Sequence, residues 1–360
     1  MTDCERSTAH RPNPRVGIVL PTYNRATFLP EAFRAIRDQH FLDWELHIVD
    51  DGSRDGTREV VAELAGTVSQ SVRYLHQENQ GAARARNVGI ASSASELLAF
   101  YDSDDVWLPH HLSDCVAELD RNPDVDWIYT ATAVVDLESG SVISPNVFYE
   151  ASRPKPVLGL ATEQRGRLKI LSDPRSVEVA ITHGLYAGLQ TSVIRRRVFL
   201  KTPIPDYRVG EDQVLNMVCL KKGYRVGYLD DPQVLYRVHG ANLSVPGGSS
   251  PEKRIATVLE LARAFDGLTE LASLSRRERT ALRKRLGDEY FWNVGYALQE
   301  SGRAREALTM FRQGLGYWPW DFWKWKTYLL SLAKGLVPKK SPGSADSAAP
   351  LPKSTASRVS

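Results

Sequence analysis

The stretch Leu97-Leu98-Ala99-Phe100-Tyr101-Asp102-Ser103-Asp104-Asp105 decides how the rest of the chain is interpreted. A short apolar run typical of a buried strand ends abruptly in a cluster of acids. Carboxylates at the end of such a strand lie where α/β proteins bind ligands, outside the carboxyl ends of the strands. Crowded carboxylates repel one another, and a divalent metal such as Mg²⁺ relieves that repulsion. On this stretch alone, metal binding is balanced against the simpler alternative that Asp104 or Asp105 caps a helix.

The composition is that of an ordinary globular protein of 360 residues, with 42% hydrophobic and 25% charged residues. The formal net charge of +3 is too small to predict a nucleic-acid partner. The three cysteines, Cys4, Cys115 and Cys219, are far apart and indicate a reducing compartment. Because the sequence contains neither a signal-peptide pattern nor an apolar run long enough to span a membrane, we expect a cytoplasmic protein.

Strand and helix patterns alternate three times in the first hundred residues. Val16–Leu20 and Trp44–Val49 predict the first two strands, and Pro21 is expected to end the first of them. This alternation predicts an α/β fold with a mostly parallel sheet and helices on both faces. No G-x-G-x-x-G follows the first strand and no P-loop motif occurs, which argues against dinucleotide-binding and P-loop folds.

Polar residues follow each predicted strand at the same edge of the sheet. The loop Pro21-Thr22-Tyr23 offers a hydroxyl and an aromatic ring. Asp50 and Asp51 end the second strand, although a turn with a helix cap is the simpler interpretation of such residues. The helix-prone segment Asn79–Gly89 then brings Arg86 near the same edge.

Two further candidate groups lie later in the sequence. Glu211 and Asp212 open a predicted helix that runs to Leu220, where acids also suit the helix dipole. His239 lies beside Arg237 just past a predicted strand, and this position suits contact with phosphate or metal. A structural role is the usual alternative for a single histidine.

The remaining sequence predicts the organisation of the chain. Residues 144–170 lack periodicity and predict a long loop, and the run Arg195–Arg197 is typical of a solvated face. Gly247–Pro251 has the composition of a linker. We predict a disordered lead-in over 1–14, one α/β domain over 15–245, a helical subdomain over 251–337 and a disordered tail over 338–360.

The helical subdomain carries two recognisable patterns. Gly295, Gly302, Ala307, Phe311 and Pro319 have the spacing of a single tetratricopeptide-like helix–turn–helix unit. Residues 318–336 are aromatic and basic, which suits peripheral contact with the inner face of a membrane. The alternative is a helix that covers the core of the helical subdomain, and the sequence favours it.

Six motifs in order resemble the signature of inverting family 2 glycosyltransferases. Any one of them is a weak signal, whereas their order and separations over residues 15–245 are specific. They are Val16–Arg25 (VGIVLPTYNR), Glu45–Thr57 (ELHIVDDGSRDGT), Asn79–Gly89 (NQGAARARNVG), Leu98–Asp105 (LAFYDSDD), Gly210–Asp212 (GED) and Tyr236–Ser244 (YRVHGANLS).

The resemblance implies a GT-A fold, a nucleotide-diphosphate sugar donor and a divalent metal, Mn²⁺ or Mg²⁺. It implies metal ligation by the D-x-D acids, with Asp105 and His239 as further ligands, and catalysis by Asp212 with Glu211 beside it. Donor binding is implied for Pro21, Thr22, Tyr23, Asp50, Asp51, Arg86, Ser103 and Asp104, with Tyr23 stacking on the base. Uracil is the base that the family tends to use, and thymine and guanine remain open.

The chemistry of glycosyl transfer agrees with these roles. A metal neutralises the charge of the departing diphosphate, and a base such as Asp212 activates the acceptor hydroxyl. Inversion requires no second carboxylate as a nucleophile. The chain lacks the Q-x-x-R-W motif and the transmembrane segments of polymer-extruding synthases, so we expect single-sugar transfer to a glycan, lipid-linked or other hydroxyl acceptor.

Two other functions are compatible with parts of the sequence. Asp102-Ser103-Asp104-Asp105-Val106 also fits the motif of haloacid-dehalogenase-type phosphatases, but that motif belongs on a first strand and here follows three. A catalytically inactive sugar-nucleotide-binding scaffold is the second alternative. The intact acids Asp102, Asp104 and Asp212 argue against it.

Overall fold

The computed structural model describes residues 13–240, 242 and 250–336. The predicted disordered ends lie outside these residues apart from Asn13 and Pro14, and the predicted linker lies outside them apart from Ser250 and Pro251. Cys4 is also outside. Within the described part of the chain, every helix is too short or too polar to cross a membrane.

The first hundred residues form the parallel half of one 11-stranded sheet. Three of the four strands in this half are buried on both faces because helices cover each side. The first helix shows why: Leu29, Ala32, Phe33 and Ile36 have helical spacing and are all buried against the sheet. In chain order the elements are β1 (Val16–Thr22), α1 (Leu29–Arg37), β2 (Trp44–Asp50), α2 (Thr57–Ala65), β3 (Val72–His76), α3 (Ala82–Ser92) and β4 (Leu97–Phe100).

The second half of the sheet adds antiparallel strands. The elements are β5 (Val106–Trp107), α4 (His111–Arg121), β6 (Trp127–Asp136), β7 (Val142–Ser144), β8 (Tyr149–Glu150), β9 (Arg153–Pro154), β10 (Thr162–Arg165), β11 (Leu168–Leu171), α5 (Ser176–His183), β12 (Ser192–Arg195), α6 (Glu211–Lys221) and β13 (Val226–Val238). The strand order is β10-β11-β13-β6-β12-β4-β1-β2-β3. Strand β12 runs antiparallel between β4 and β6, whereas β6 and β13 pair in parallel. The predicted α/β fold is confirmed, and its sheet is mixed.

Pro21 does not end the first strand, contrary to the prediction. Pro21 pairs with Val49 and Thr22 with Asp50, so β1 continues through the proline. On the other side of β1, pairing with β4 stops at Val19. Because no strand among the described residues lies beside Pro21 on that side, its missing N–H costs the ladder nothing.

The loop predicted over residues 144–170 is also wrong in part. Strands β10 and β11 form a hairpin that joins the main sheet beside β13, and Leu168 and Ile170 are buried. Each of these strands has four residues, too few for a periodic pattern to be distinguished from a loop.

Arg195 departs from the solvated face that the sequence predicts for the arginine run, whereas Arg197 is exposed as predicted. Arg195 is buried, donates to the backbone oxygens of Val125 and Leu119 at 2.8 and 2.6 Å, and pairs with Glu96 at 3.0 Å. Arg197 donates to Asp126 at 2.6 Å. These arginines tie β12 to the start of β6 and therefore have a structural role.

The predicted C-terminal helical extension is present. Its elements are α7 (Pro251–Asp266), α8 (Leu268–Leu271), α9 (Arg276–Asp288), a π-helical segment (Glu289–Gly295), α10 (Tyr296–Glu300), α11 (Ala304–Tyr317) and α12 (Phe322–Leu336). Gly295 allows the π-helical segment to approach α11, since a Cβ there would lie 2.5 Å from the Phe311 ring. Gly302, at φ +76°, makes the turn between α10 and α11.

The helical region packs on the second half of the sheet. Phe265, Leu268 and Leu286 belong to the same apolar core as Ile181 and Val214. Lys221 at the end of α6 pairs with Glu278 at 2.9 Å, and Arg285 donates to the Ile181 oxygen at 2.8 Å. The domain boundary between 245 and 251 stays a prediction, since most of that segment lies outside the described residues.

Candidate active site

The candidate site lies where β1, β2 and β4 end at one edge of the sheet. Thr22 and Asp50 are register partners at the last positions of β1 and β2. The N–H of Tyr101 donates to Val19 at 2.9 Å, which carries the end of β4 to the same edge. Because parallel strands end at one edge, residues 21–23, 50–51 and 102–105 come together as the sequence predicts.

Asp50 and Asp51 form one end of the site, and each of their carboxylate oxygens accepts at least one hydrogen bond from the protein. Asp51 accepts from Gln77 Nε2 at 2.7 Å and from the backbone N–H groups of Gln80 and Gly81 at 2.8 and 2.7 Å. Asp50 accepts from the N–H of Ser53 at 2.8 Å and from the Tyr74 hydroxyl. Burial and Asp50 raise the pKa of Tyr74, which keeps that hydroxyl a donor.

The loop after β1 presents one aromatic ring to solvent. Asn24 donates its N–H to Ser53 Oγ at 2.9 Å and accepts from the N–H of Arg54 at 2.8 Å, so the loops after β1 and β2 are joined. Tyr23 beside this junction is 48% exposed, and its ring is accessible to a flat ligand. The Thr22 side chain is buried, so the hydroxyl that this loop offers does not face solvent.

Arg86 holds the other end of the site together. The buried guanidinium donates to Asp102 Oδ1 and to Glu211 Oε1, each at 2.7 Å. It therefore links α3, the end of β4 and the start of α6. Ser103 between the D-x-D acids is buried. The two 2.7 Å contacts join acids that are 109 positions apart in the sequence.

Glu211 and Asp212 occupy the first turn of α6. Burial raises the pKa of Glu211 to about 7; Arg86 opposes this shift, and Asp212 adds to it. Burial also raises the pKa of Asp212, whose Oδ1 accepts from the N–H of Gln213 at 2.7 Å. Carboxylates whose pKa is raised towards neutrality are suited to accept a proton during a reaction.

Gly210 fixes where α6 begins. Its φ of +83° is a left-handed conformation that favours glycine. A Cβ at this position would lie 2.7 Å from Leu261 Cδ1, so α7 packs directly against the start of α6. The helical region thus contributes to the position of Glu211 and Asp212.

Asp104 lies in a cationic and aromatic environment. Its Oδ2 is 3.2 Å from His239 Nε2 and 3.6 Å from Arg25 Nη2. The Phe28 ring stacks on His239 with a centroid distance of 5.5 Å. The structure therefore brings two of the predicted metal ligands, Asp104 and His239, into direct contact.

Asp105 has different surroundings. It is buried, its Oδ1 accepts from the N–H of Arg237 at 3.2 Å, and its backbone oxygen accepts from the Tyr101 hydroxyl at 2.9 Å. Burial raises the pKa of Asp105 well above its usual range, and Asp102 and Asp104 raise it further. These contacts tie the acidic turn to β13 and give Asp105 a supporting position.

The four predicted metal ligands do not converge as a set. Among the described residues, the metal-type cluster whose ligand atoms all lie within 4.8 Å consists of His110, Asp114 and Asp231, away from the predicted ligands. Arg167 already bridges Asp114 and Asp231 at 2.9 Å each, which makes this cluster an ion-pair network. Asp102 and Asp104 remain partly open to solvent, 28% and 19% exposed.

Sequence reasoning missed several residues that build the site. Gln77 donates to Asp51 and directly follows β3, just as Asp51 follows β2. A search for polar residues immediately after each predicted strand could therefore have found it. Arg25 and Phe28 approach Asp104 and His239 from the segment before α1. The Phe28–His239 contact spans 211 positions of sequence and the Arg25–Asp104 contact spans 79, so neither leaves a local signal.

Comparison with known proteins identifies the fold. The solved structure of S. aureus TarS 1–349 in complex with UDP is similar with a TM-score of 0.55 and 16% identity, covering 90% of this chain and 93% of that one. The mannosyltransferase PcManGT from Pyrobaculum calidifontis in complex with GDP-Man and Mn²⁺ gives a TM-score of 0.53 and 20% identity, covering 91% and 88%. The fold is that of GT-A nucleotide-sugar transferases.

A family match from sequence covers about half of the chain. Residues 17–194 match the family described as Glycosyl transferase family 2. The protein named uncharacterized glycosyltransferase alr2836 from Nostoc sp. is 26% identical over 246 residues, which cover 67% of this chain and 70% of that protein. Residues 17–194 therefore form a glycosyl transferase family 2 domain, which overlaps with four of the six motifs that resemble this family, and the phosphatase alternative has no support.

Proposed function

We propose that the protein is an inverting, metal-dependent glycosyltransferase. It moves one sugar from a nucleotide-diphosphate sugar to an acceptor hydroxyl in the synthesis of a glycan, polysaccharide or glycoconjugate. The observation that carries this proposal is buried Arg86, which contacts Asp102 and Glu211 at 2.7 Å each. That contact brings the D-x-D turn and the acids of α6 to one place.

Asp212 is the proposed base. It withdraws the proton of the acceptor hydroxyl while the acceptor oxygen bonds to the anomeric carbon and the bond to the diphosphate breaks on the opposite face. Burial raises the pKa of Asp212, which favours proton acceptance. Glu211 is bonded to Arg86, so its proposed role is to assist beside Asp212. Because one base is sufficient for this displacement, we expect inversion.

Asp102 and Asp104 are the proposed ligands of Mn²⁺ or Mg²⁺. Hard divalent cations take carboxylate oxygens, and both side chains are partly open to solvent, which fits this role. When bound, the ion neutralises charge on the departing diphosphate. His239, in contact with Asp104, fits as a third ligand. Asp105 was also predicted as a ligand, and its burial fits least well.

The donor base is proposed to lie at the Asp50–Asp51 end. Exposed Tyr23 stacks on the base, and Asp51 hydrogen-bonds it through the remaining acceptor capacity of its carboxylate. Pro21, Thr22 and Asp50 shape this pocket from below, while Arg86 and Ser103 lie towards the diphosphate. UDP remains the favoured nucleotide.

Buried, free Cys115 and Cys219 support the proposal of a cytoplasmic location.

A donor screen followed by one substitution tests the proposal. We expect a nucleotide sugar with Mn²⁺ or Mg²⁺ to raise the melting temperature, and EDTA to abolish the shift. Asp212→Asn should keep this shift and lose about 100-fold or more in transfer rate. Asp206→Asn, the same exchange at an exposed acid on the loop before Gly210, serves as the matched control.

Three outcomes would contradict the proposal. Equal transfer rates for Asp212→Asn and wild type would remove the base assignment. Donor binding without transfer to any acceptor or to water would favour the inactive-scaffold alternative. Retention of configuration at the anomeric carbon, read by NMR of the product, would exclude the single-base mechanism.

A further inference from the structure

Helix α12 turns an apolar, aromatic face towards solvent. Phe322 is 71% exposed, and Trp320 just before the helix is 82% exposed. The other exposed large apolar residues of this segment are Trp323, Trp325, Leu329 and Leu330. Such a concentration of exposed aromatic rings is unusual for a monomeric surface and marks an interaction site.

The opposite side of α12 is firmly attached, so the outward face is a fixed feature. Buried Lys324 has its Nζ 2.7 Å from Asp288 Oδ1. Ser331 donates to Gln299 Oε1 at 2.6 Å, and Arg312 donates to the Tyr328 hydroxyl at 2.7 Å. These contacts seat the helix on α9, α10 and α11 with its aromatic side outward.

Lys326 lies within this apolar face. Phe322, Lys326 and Leu329 share one side of the helix because they are spaced by four and three residues. The Lys326 Nζ lies 5.0 Å from the centre of the Trp323 ring. In the sequence Lys334, Lys339 and Lys340 follow, and no acid occurs between Asp321 and Asp346.

This chemistry argues against a protein occupant. A second copy packed face to face would bring Lys326 against its own symmetry mate or bury it among indole rings without a counter-charge. The chain's own undescribed ends supply little to cover the face, since residues 337–360 contain only Val337, Leu351 and Val359 as large apolar residues.

We propose that the segment Trp320–Leu330, which we call the aromatic anchor, binds the surface of an anionic lipid bilayer. Trp and Phe rings favour the headgroup level, where one part of the ring is apolar and the other is hydrated. Lys326 can extend from among them to lipid phosphates, and the following lysines add attraction to an anionic surface. This inference stands independently of the transferase reaction.

Vesicle co-sedimentation of the full chain tests the anchor. We expect binding to vesicles of phosphatidylcholine mixed with phosphatidylglycerol, weaker binding to phosphatidylcholine alone, and weakening by salt. The triple variant Trp320→Ser, Phe322→Ser, Trp323→Ser should bind about tenfold or more weakly. Leu42→Ser with Leu200→Ser is the matched control, because these exposed apolar residues lie away from α12.

A second variant guards against a folding defect. Lys326→Glu keeps every aromatic ring and should reduce the preference for anionic vesicles.

Three outcomes overturn the proposal. They are failure of the wild-type chain to bind anionic vesicles, equal binding by the triple variant, and a concentration-dependent dimer in light scattering that the triple variant abolishes.

Discussion

The two ends of the candidate site hold their carboxylates in opposite ways. At the Asp50–Asp51 end, each carboxylate oxygen accepts a hydrogen bond from the protein. At the other end, Asp102 and Glu211 share a single cation, Arg86, and Asp212 lies beside them. Burial raises the pKa of both α6 acids there.

This difference separates shape from reactivity. Carboxylates whose oxygens each accept a hydrogen bond from the protein hold the neighbouring loops in one geometry. Carboxylates that are buried, crowded and served by one cation change protonation easily. The first end therefore provides a rigid pocket wall, and the second provides groups that respond to charge. Each of the following substitutions acts on one of these two ends of the site.

The largest effect is expected for Arg86→Met. Removing the buried partner leaves Asp102 and Glu211 without compensation, a situation that costs about 3–5 kcal/mol of unfolding free energy. The loss should be smaller at pH 5 than at pH 8, because burial raises the pKa of Glu211 to about 7 and this carboxyl is protonated at the lower pH. Urea unfolding at both pH values measures it. Arg86→Lys keeps the charge and should recover part of the loss; a pH-independent loss would contradict this account.

Glu211→Gln should flatten the pH dependence of stability. Burial is the main cause that raises the pKa of Glu211 from 4.5 to about 7. A raised acid pKa means that its contribution to stability is complete below 4.5 and is lost as pH rises through about 7. Relative to Gln, wild type should therefore lose stability over this window, by about 3 kcal/mol at most.

Urea unfolding in EDTA at pH 5 and pH 8 measures this effect. Glu306→Gln, at an exposed acid in an ion pair with Arg303, is the control and should leave the pH profile of wild type unchanged. A wild-type profile parallel to that of Glu211→Gln would show that the carboxyl is not desolvated in solution.

Asp51→Ala tests the Asp50–Asp51 end of the site. The substitution leaves the backbone N–H groups of Gln80 and Gly81 and the Gln77 amide without their acceptor, which should cost about 1–3 kcal/mol. Asp51→Asn retains one acceptor oxygen and should cost less. Equal stability of wild type and Asp51→Ala in chemical denaturation would mean that water replaces the carboxylate at no cost.

Tyr23→Ala should change stability least. Because the ring is largely exposed, we expect a change within about 0.5 kcal/mol in unfolding free energy. Loss of stacking should nevertheless weaken nucleotide binding about tenfold, as read by calorimetric titration, and Tyr23→Phe should restore it. Unchanged nucleotide affinity would remove Tyr23 from the proposed base pocket.

The parallel half of the molecule could be predicted from sequence because its signals are local. Buried strands such as Trp44–Asp50 are continuous apolar runs, and the acids that follow them stand out in a short window. The edge shared by residues 21–23, 50–51 and 102–105 then follows from the parallel topology alone. The prediction failed at Pro21, where the absence of a neighbouring strand, which no local pattern records, decides the outcome.

Contacts between distant segments could not be predicted. The four-residue strands β10 and β11 are too short for a pattern, and Arg195 looks solvated until Glu96 and two carbonyl groups surround it. Likewise, the sequence shows Asp105 as one more acid of the cluster that begins at Asp102. Only the packing of β13 shows that Asp105 is buried beneath the turn. Burial and partners at long range are properties of the assembled fold.

The contact between Gly210 and Leu261 has a consequence for inactivation by heat. The helical region supports the first turn of α6, whereas one face of the parallel strands packs in a separate core formed by residues between Val16 and Val234. On gradual heating, loosening of α7 would release the acids of α6 while the Asp50–Asp51 end, where nucleotide binding is proposed, stays folded. We then expect the helical region to limit how long transferase activity survives at elevated temperature. Nucleotide binding should be lost later than transferase activity.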